Sequence, residues 1–427
     1  MSAILQTEVV GSAELAGPVR DIGLRCGRAL SDAEFQEVRL ETIFDCGKYD
    51  PQVGDVATLC RYPLLMDRST WEGLASLAEG LSRETLSAEA ELVERTELHE
   101  QLGLPRALRA ALRGVGKRGA SRGVARFMRF DFHPTAEGWR ISEVNSDVPG
   151  GFIEGSGFSA LMALRYAGTR LAGRAECALA EALVEVLPAD GVVGLVHATA
   201  YTDDRQVMAF VGRCFEDRGM RPVLVAPDQV RWREGRAWMK TDWYRGEAAA
   251  LLRFFPAEWL CNLRRRCGWE RWFSGSATVL ANPGYAVVTQ TKRFPLVWDE
   301  LRNSMPTWRT LLPGTVDPRD ASAIAGEAVL KPALGRVGDG IGMAGVTAAR
   351  EWKGILRGVR WFPRYWAAQE RFRAVALPGP EGEVYPCLGV FTVDGRAAGI
   401  YGRVAKRPLI DDRAQDVAVL IVEGEEV

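Results

Sequence analysis

Arg129-Phe130-Asp131-Phe132, followed by Glu143-Val144-Asn145-Ser146-Asp147, carries the most informative pattern in the sequence. Between the two halves lies His133-Pro134-Thr135-Ala136-Glu137-Gly138-Trp139, whose Pro and Gly punctuate a reversal between two β-like runs. Within each run the polar residues sit two apart: Arg129 and Asp131, then Glu143 and Asn145. Side chains i and i+2 of a strand share a face. A hairpin therefore gathers all four on one side and leaves Phe130, Phe132 and Val144 on the other. Two acids and an amide form an oxygen-rich cradle for Mg²⁺, with an arginine beside it for phosphate. An amphipathic hairpin with a solvated polar face shows the same alternation, so the hairpin alone leaves both readings open.

A second feature narrows the choice. In Ala328-Val329-Leu330-Lys331-Pro332-Ala333-Leu334-Gly335-Arg336-Val337-Gly338-Asp339-Gly340-Ile341-Gly342 an apolar strand delivers a lysine into a glycine-rich loop. Glycines let backbone N–H groups approach a phosphate, and the lysine supplies a point charge. The lysine precedes the glycines, so this is not the Walker pattern, and no helix in clean register follows as a Rossmann turn requires. A plain glycine-rich hairpin is the alternative; the separate metal cradle upstream favours ATP.

Three further pieces follow in order. Thr289-Gln290-Thr291-Lys292-Arg293 places a lysine at the end of an apolar strand, before Phe294-Pro295-Leu296-Val297-Trp298. Trp366-Ala367-Ala368-Gln369-Glu370-Arg371-Phe372 reads as a hinge strand, where backbone groups with Gln369 and Glu370 can meet an adenine edge. Gly399-Ile400-Tyr401-Gly402-Arg403-Val404 presents Arg403 on a late strand. Each alone is equally an ordinary surface residue, and their weight lies in order and co-occurrence.

The 427 residues are ample for two or three domains, and 47% hydrophobic with 26% charged residues is a globular composition. A net charge of −1 gives no attraction to nucleic acid or an anionic membrane, so neither is expected as a partner. Only seven of the 54 basic residues are lysine, which makes Lys292 and Lys331 more informative than arginines would be. Eight scattered cysteines without CxxC pairs, and three histidines, argue against a structural zinc site or a disulfide scaffold. No apolar run of about twenty residues and no signal pattern occur, so a cytoplasmic location is expected. The oligomeric state stays open.

Along the chain, leucine spacing predicts helix from Pro63 to about Arg113, with an N-cap in Asp67-Arg68-Ser69-Thr70. Pro149-Gly150-Gly151 turns into a predicted helix over 158–187. Strands over 191–196 and 222–225, with a helix over 205–217 between them, form a βαβ-like unit. The 146–160 loop and the tryptophan-rich 231–275 segment are expected to shape a pocket.

The ordered set R-F-D-F, E-x-N-x-D, T-K, K-P-x-x-G-R, Q-E and G-x-Y-G-R resembles the ATP-grasp superfamily, specifically the glutathionylspermidine synthase-like carboxylate–amine ligases. The resemblance covers about residues 50 to 425, and the metal cradle precedes the glycine loop as in that family's permuted connectivity. It implies an α/β (α+β) ATP-grasp fold with mixed sheets, flanking helices and a βαβ pre-ATP-grasp-like domain. Its division is 1–125 helical and mixed, 126–275 hairpin plus α/β domain, and 276–427 nucleotide-binding. It places Mg²⁺ on Asp131, Glu143 and Asn145, and ATP on Lys292, Lys331, Gly335, Gly338, Gly340, Gln369 and Glu370. Catalytic contacts fall to Arg129 at the transferred phosphate, Arg336 at the acyl substrate and Arg403 near the γ-phosphate. The implied reaction joins a small-molecule carboxylate to an amine through an acyl phosphate, with the family's amidase domain absent. The alternatives are an inactive nucleotide-binding scaffold and a phosphotransferase releasing a phosphorylated product. Asp147 is a candidate general base, with a structural role as its alternative.

Overall fold

The structure, a computed structural model, describes residues 22–49, 52–53, 56–115, 125–323, 327–335 and 340–423. Along the chain, the strand Leu24–Cys26, the helix Asp32–Phe44 and the strand Leu64–Met66 lead to the long helix α1 (Arg68–Glu94) and the hairpin β1 (Phe127–Thr135) and β2 (Gly138–Asn145). Helix α2 (Ala175–Val184) follows, then β3 (Val192–Val196), α3 (Thr202–Glu216), β4 (Arg221–Val225), β5 (Ala250–Arg253) and β6 (Val279–Ala281). The C-terminal part contributes β7 (Ala328–Pro332), α4 (Ala349–Trp361), β8 (Trp366–Glu370), β9 (Gly382–Val393) and β10 (Arg396–Ala405).

Three sheets position the site. The hairpin forms as its alternation requires, antiparallel, with Arg129 opposite Asn145 and Asp131 opposite Glu143. β1 then pairs antiparallel with β9, and β9 with β10, so the early hairpin is the far edge of a late sheet. The apolar side of this sheet carries Phe130, Phe132, Leu388 and Val390, each with at most trace exposure. α1 covers that side through Leu74, Ala78, Leu81, Ala88 and Leu92, spaced three, four or seven residues apart so that one stripe is buried. Burying one such phenylalanine is worth roughly 2–3 kcal/mol.

The second sheet is parallel, in the order β6-β5-β3-β4, with α2 and α3 packed on it. Continuous apolar runs such as Val192-Val193-Gly194-Leu195-Val196 suit strands covered on both faces. The third is small and antiparallel: β8 lies between β7 and Thr315–Val316. α4 lays Trp352, Ile355 and Leu356 against it. Among the described residues no helix is long and apolar enough to cross a membrane.

Three sequence expectations are corrected. The helix expected from Pro63 to about Arg113 starts only at Arg68, after the strand Leu64–Met66, and gives way beyond Glu94 to the 3-10 turn Thr96–Glu100 and the helix Arg106–Leu112. The helix expected over 158–187 is broken into a π-turn Ile153–Phe158, a short helix Ser159–Ala163, the strand Thr169–Arg170 and α2. Gly168 takes φ +72°, and a Cβ on Gly173 would stand 2.4 Å from the Ala398 carbonyl, so the chain turns sharply there against β10. Thr289 and Gln290 end a helical turn, Val287–Gln290, not a strand. Its apolar residues are buried all round, which periodicity alone cannot tell from a buried strand. At the start of α1 Asp67 occupies the N-cap position but makes no capping bond, because its carboxylate accepts from Arg25 at 3.1 Å.

Asp147 sits at the junction of the sheets. It is 1% exposed, accepts from Arg253 of β5 and from the Ala257 amide at 2.9 Å, and so fills a structural role. Removing one partner of a buried ion pair costs roughly 3–5 kcal/mol, because the other charge is left uncompensated. Asp147→Ala should therefore lower unfolding stability by about that amount. Urea unfolding curves of the two proteins measure it, and a loss below about 1 kcal/mol would show that Arg253 finds another partner.

Candidate active site

The polar face of the β2-β1-β9-β10 sheet is the floor of the site. Reading across the four strands, Glu143, Asp131, Gly389 and Tyr401 lie in one lateral row, and Cys387 stands opposite Arg403 in the next. Arg129 lies across this floor rather than rising from it. Its Nε and Nη2 donate to the Asp131 carboxylate at 2.7 and 3.0 Å, and Nη1 donates to the Gly150 carbonyl at 2.6 Å. The guanidinium also sits 4.9 Å from the Tyr401 ring centroid, a cation–π contact. Gly389 makes that path open: a Cβ there would stand 2.5 Å from Arg129 Cδ.

Two lysines come down on the hairpin from separate elements. Lys292 Nζ pairs with Glu143 Oε2 at 2.8 Å. Lys331 of β7 donates to the Ser142 carbonyl at 2.9 Å and to Gln369 Oε1 of β8 at 2.7 Å, and Gln369 Nε2 donates to Thr315 at 3.0 Å. Burial works against charge on the Glu143 carboxyl, yet Lys292 and Lys331 hold it down at about 2. Burial draws the Lys331 ammonium down to about 8. His133, buried beside Lys331, is likewise pulled down to about 4, so its imidazole is neutral at physiological pH; its Nε2 lies 3.0 Å from Ser142 Oγ.

Arg129, Asp131, Glu143, Asn145, Lys331, Gln369, Glu370 and Arg403 all line one cleft of about 550 Å³, within the range of small-molecule sites. Lys292 reaches it through Glu143. Gly335 ends the stretch after β7 and Gly340, at φ +71°, begins the return; neither is among the described residues that line the cleft. Arg336 and Gly338 lie outside the described residues. Of the tryptophan-rich segment only Phe254 lines the cleft, since Trp269 and Trp272 are buried in the core. The 146–160 loop does shape it, through Val148, Gly150, Gly151 and Glu154.

Sequence reasoning missed the acidic end of the cleft. Glu154 and Asp416 flank Lys48, which pairs with Glu154 and lies 3.7 Å from Asp416 Oδ2. Tyr401 donates to Asp416 Oδ1 at 2.6 Å. Burial, then the neighbouring Glu154 charge, raises the Asp416 carboxyl above the usual range, while Lys48 holds Glu154 below it against burial. These residues come from three distant segments with no shared motif, so no spacing signal marks them. Arg403 donates to the Asp411 carbonyl at 2.8 Å. Its Nε and Glu154 Oε2 are buried without a partner among the described residues.

The residues present fit Mg²⁺ and a phosphate-bearing ligand. Asn145 Nδ2 lies 3.2 Å from Asp131 Oδ2 and 3.3 Å from Glu143 Oε1. Half a turn of that amide offers its oxygen instead, and all-oxygen donors suit a hard cation. The orphaned Arg403 Nε is a donor still to be used by an anion.

The chain belongs to the glutathionylspermidine synthase preATP-grasp family, whose match spans residues 62–422. A glutathione synthetase-like effector (GSS30) from Globodera pallida, solved in its apo form, is similar in fold at a TM-score of 0.64 and 14% identity. That likeness covers 95% of this chain and 99% of the other. A protein described as a γ-glutamylcysteine synthetase from Methylobacillus flagellatus KT gives a TM-score of 0.45 at 13% identity, over 79% of this chain and 86% of the other. No curated protein matches the chain. The fold is thus an α/β one of the preATP-grasp family type, with several sheets and flanking helices.

Lys48 gives a pH-dependent prediction. In Lys48→Met, Glu154 and Asp416 lose the cation between them and keep only the more distant pull of Arg129 and Arg403, so burial and like charge raise their folded values above the unfolded value of about 4. A group raised on folding contributes stability below its unfolded value and loses it as pH rises through the folded one. The variant should therefore match the wild type near pH 4 and fall behind by about 2 kcal/mol or more at pH 8. Urea unfolding across that range reads the gap, and a gap independent of pH would show that the acids do not depend on Lys48.

Proposed function

We propose that the protein is an ATP- and Mg²⁺-dependent carboxylate–amine ligase acting on an amino acid or small peptide. The observation that carries this reading is the convergence of the oxygen cradle Asp131, Glu143 and Asn145 with Lys292, Lys331, Arg129 and Arg403 at one cleft, on the fold of a synthetase family. The chemistry has two steps. The ATP γ-phosphoryl passes to a substrate carboxylate, and an amine then attacks the acyl phosphate and releases phosphate. Positioning and charge neutralisation dominate phosphoryl transfer.

In this reading Lys331 and Lys292 meet the nucleotide phosphates, and Gln369 and Glu370 meet the adenine edge beside them. Gly335, Gly338 and Gly340 let the loop approach the phosphates closely. Arg129, preset by Asp131, Gly150 and Tyr401, offsets charge on the transferred phosphoryl group. Arg403 turns its spare Nε to the same oxygens, and Arg336 meets the acyl substrate. Asp131, Glu143 and Asn145 would hold Mg²⁺, which would supply charge neutralisation for the phosphates. Glu154, with its unpartnered Oε2, is an acceptor for the incoming amine at the opposite end.

Purified protein should release ADP only when both an acid pool and an amine pool are present. Product mass should equal acid plus amine less water. A product heavier by a phosphoryl group would instead mean phosphotransfer, and no ADP with any pool and no ATP-dependent rise in Tm would mean a scaffold. Lys331→Ala should cut turnover at least about 10²-fold with the fold intact, and Glu143→Gln should raise the Mg²⁺ concentration needed for half-maximal rate. Wild-type turnover in the first, or an unchanged Mg²⁺ titration in the second, removes that residue from its role. Gly389→Ala pushes Arg129 off its line, and a misplacement of about 1 Å costs on the order of 10²-fold in rate. A variant with normal turnover would show that Arg129 has room to yield.

A further inference from the structure

α2, which also lies against β9 and β10, packs on α3, and Cys177 of α2 meets Cys214 of α3. Their sulfurs are 2.9 Å apart, against about 2.05 Å in a formed disulfide. The two sulfurs need close by only about 0.9 Å for a bond to form. The thiols differ in surroundings. Cys214 is 3% exposed, and burial, the Cys177 thiol and the Glu176 charge all push its thiol up, which keeps it protonated. Cys177 is half-buried, and its Sγ lies 3.7 Å from Glu176 Oε1, an acceptor for its proton.

The same cluster can be read as a metal site, because one ligand atom from each of Glu176, Cys177 and Cys214 lies within 4.8 Å of the others. The fully buried Glu176 argues otherwise. Arg174 Nε already pairs with its Oε1 at 3.0 Å and Ser156 donates to its Oε2 at 2.5 Å. A cation would have to displace both Arg174 and Ser156, which already occupy the two oxygens of that carboxylate. Two thiols in contact need no such exchange.

We propose that Cys177 and Cys214 are a modification site: a dithiol that peroxide-class oxidants convert to a disulfide joining α2 to α3, and that small thiols reduce again. The steps balance. The Cys177 sulfur attacks one oxygen of hydrogen peroxide, giving a sulfenic acid and one water. The Cys214 sulfur then attacks that sulfenic sulfur, and the hydroxyl leaves with the Cys214 proton as a second water. Two thiols and one peroxide become one disulfide and two waters. The bond closes a separation of 37 residues, a loop long enough for a cross-link to restrict the unfolded chain. Neither cysteine lines the cleft.

The test treats the full-length protein with hydrogen peroxide, blocks remaining thiols with iodoacetamide and maps peptides by mass. The expected result is a Cys177–Cys214 cross-link, a fall in free thiols from eight to six and full reversal by dithiothreitol. Oxidised protein should melt a few degrees higher. Cys214→Ser should lose the cross-link and leave a dimedone-reactive Cys177, while Cys177→Ser, the second variant should the first not fold, should keep all its thiols free under the same dose. Eight free thiols after oxidation, or a cross-link between other cysteines, would overturn the proposal. So would stoichiometric binding of Zn²⁺ alone, abolished by Cys177→Ser, which would assign the cluster to a metal.

Discussion

The candidate site depends on the two residues that follow the β1-β2 hairpin, Ser146 and Asp147. Asn282, at the end of β6, donates through Nδ2 to the carbonyls of Phe127, Ser146 and Asp147 and accepts from the Phe127 amide. Gln290 accepts from the Ser146 and Asp147 amides at 2.8 and 3.0 Å. Arg253 of β5 holds the Asp147 carboxylate, and Arg126, paired with Glu89 of α1, donates to the Ser146 carbonyl at 3.2 Å. The hairpin, the parallel sheet and the long helix are therefore joined at one buried point. Buried charges cost several kcal/mol each unless paired and hydrogen-bonded, and Arg253 here meets both Asp147 and the carbonyls of Asn282 and Pro283. An apolar cluster of equal volume would hold the elements together, but it would not fix the direction in which the adjacent Asn145 and Glu143 leave the backbone.

A second constraint acts on the floor of the cleft and depends on missing atoms. Gly389 leaves the width of a side chain free, and Arg129 fills it lying flat. Gly151, at φ +97°, brings its loop against the Tyr401 ring so closely that a Cβ would stand 2.8 Å from it. Tyr401 is thereby wedged between Gly151 and the guanidinium, with its hydroxyl fixed by Asp416. Two glycines on different segments thus set one arginine and one tyrosine, and the geometry is prepared before any ligand arrives, which is the condition for electrostatic preorganisation.

These relations explain what the sequence could and could not reveal. The hairpin was legible because a two-residue period with chemically paired residues survives any tertiary context, and its partners Arg129 and Asp131 are neighbours in sequence. An apolar strand running into glycines is equally a plain hairpin, so the lysine of β7 was legible only through the polar hairpin upstream, whose cleft it lines. Lys48, Glu154 and Asp416 were not, since what makes them a cluster is the packing of segments more than a hundred residues apart. Gly389 was invisible for a different reason: its meaning is an absence of volume above which another strand's side chain passes. The broken helix at 158–187 misled because apolar residues at helical spacing continue across Gly168 and Gly173, whose conformations answer to β10. Asp147 in E-x-N-x-D left a base and a structural role both open, and the arginine arriving from β5 accounts for the structural one.

The charges of the cleft impose one more consequence on the proposed chemistry. Glu143 is held by Lys292, and Asp131 by Arg129, so the acids suited to a cation are already neutralised by the bases suited to phosphate. A divalent cation arriving alone would have to displace Lys292 or Arg129 and leave it buried without a partner. A nucleotide arriving alone would have to draw the same bases away from their carboxylates. Each exchange by itself uncovers a buried charge, at a cost of several kcal/mol. Arriving together, the cation takes the acids while the phosphates take the bases, and every group keeps an opposite charge. Under the proposed function such pairs would favour a metal–nucleotide complex over either component, while stabilising the empty protein in the meantime.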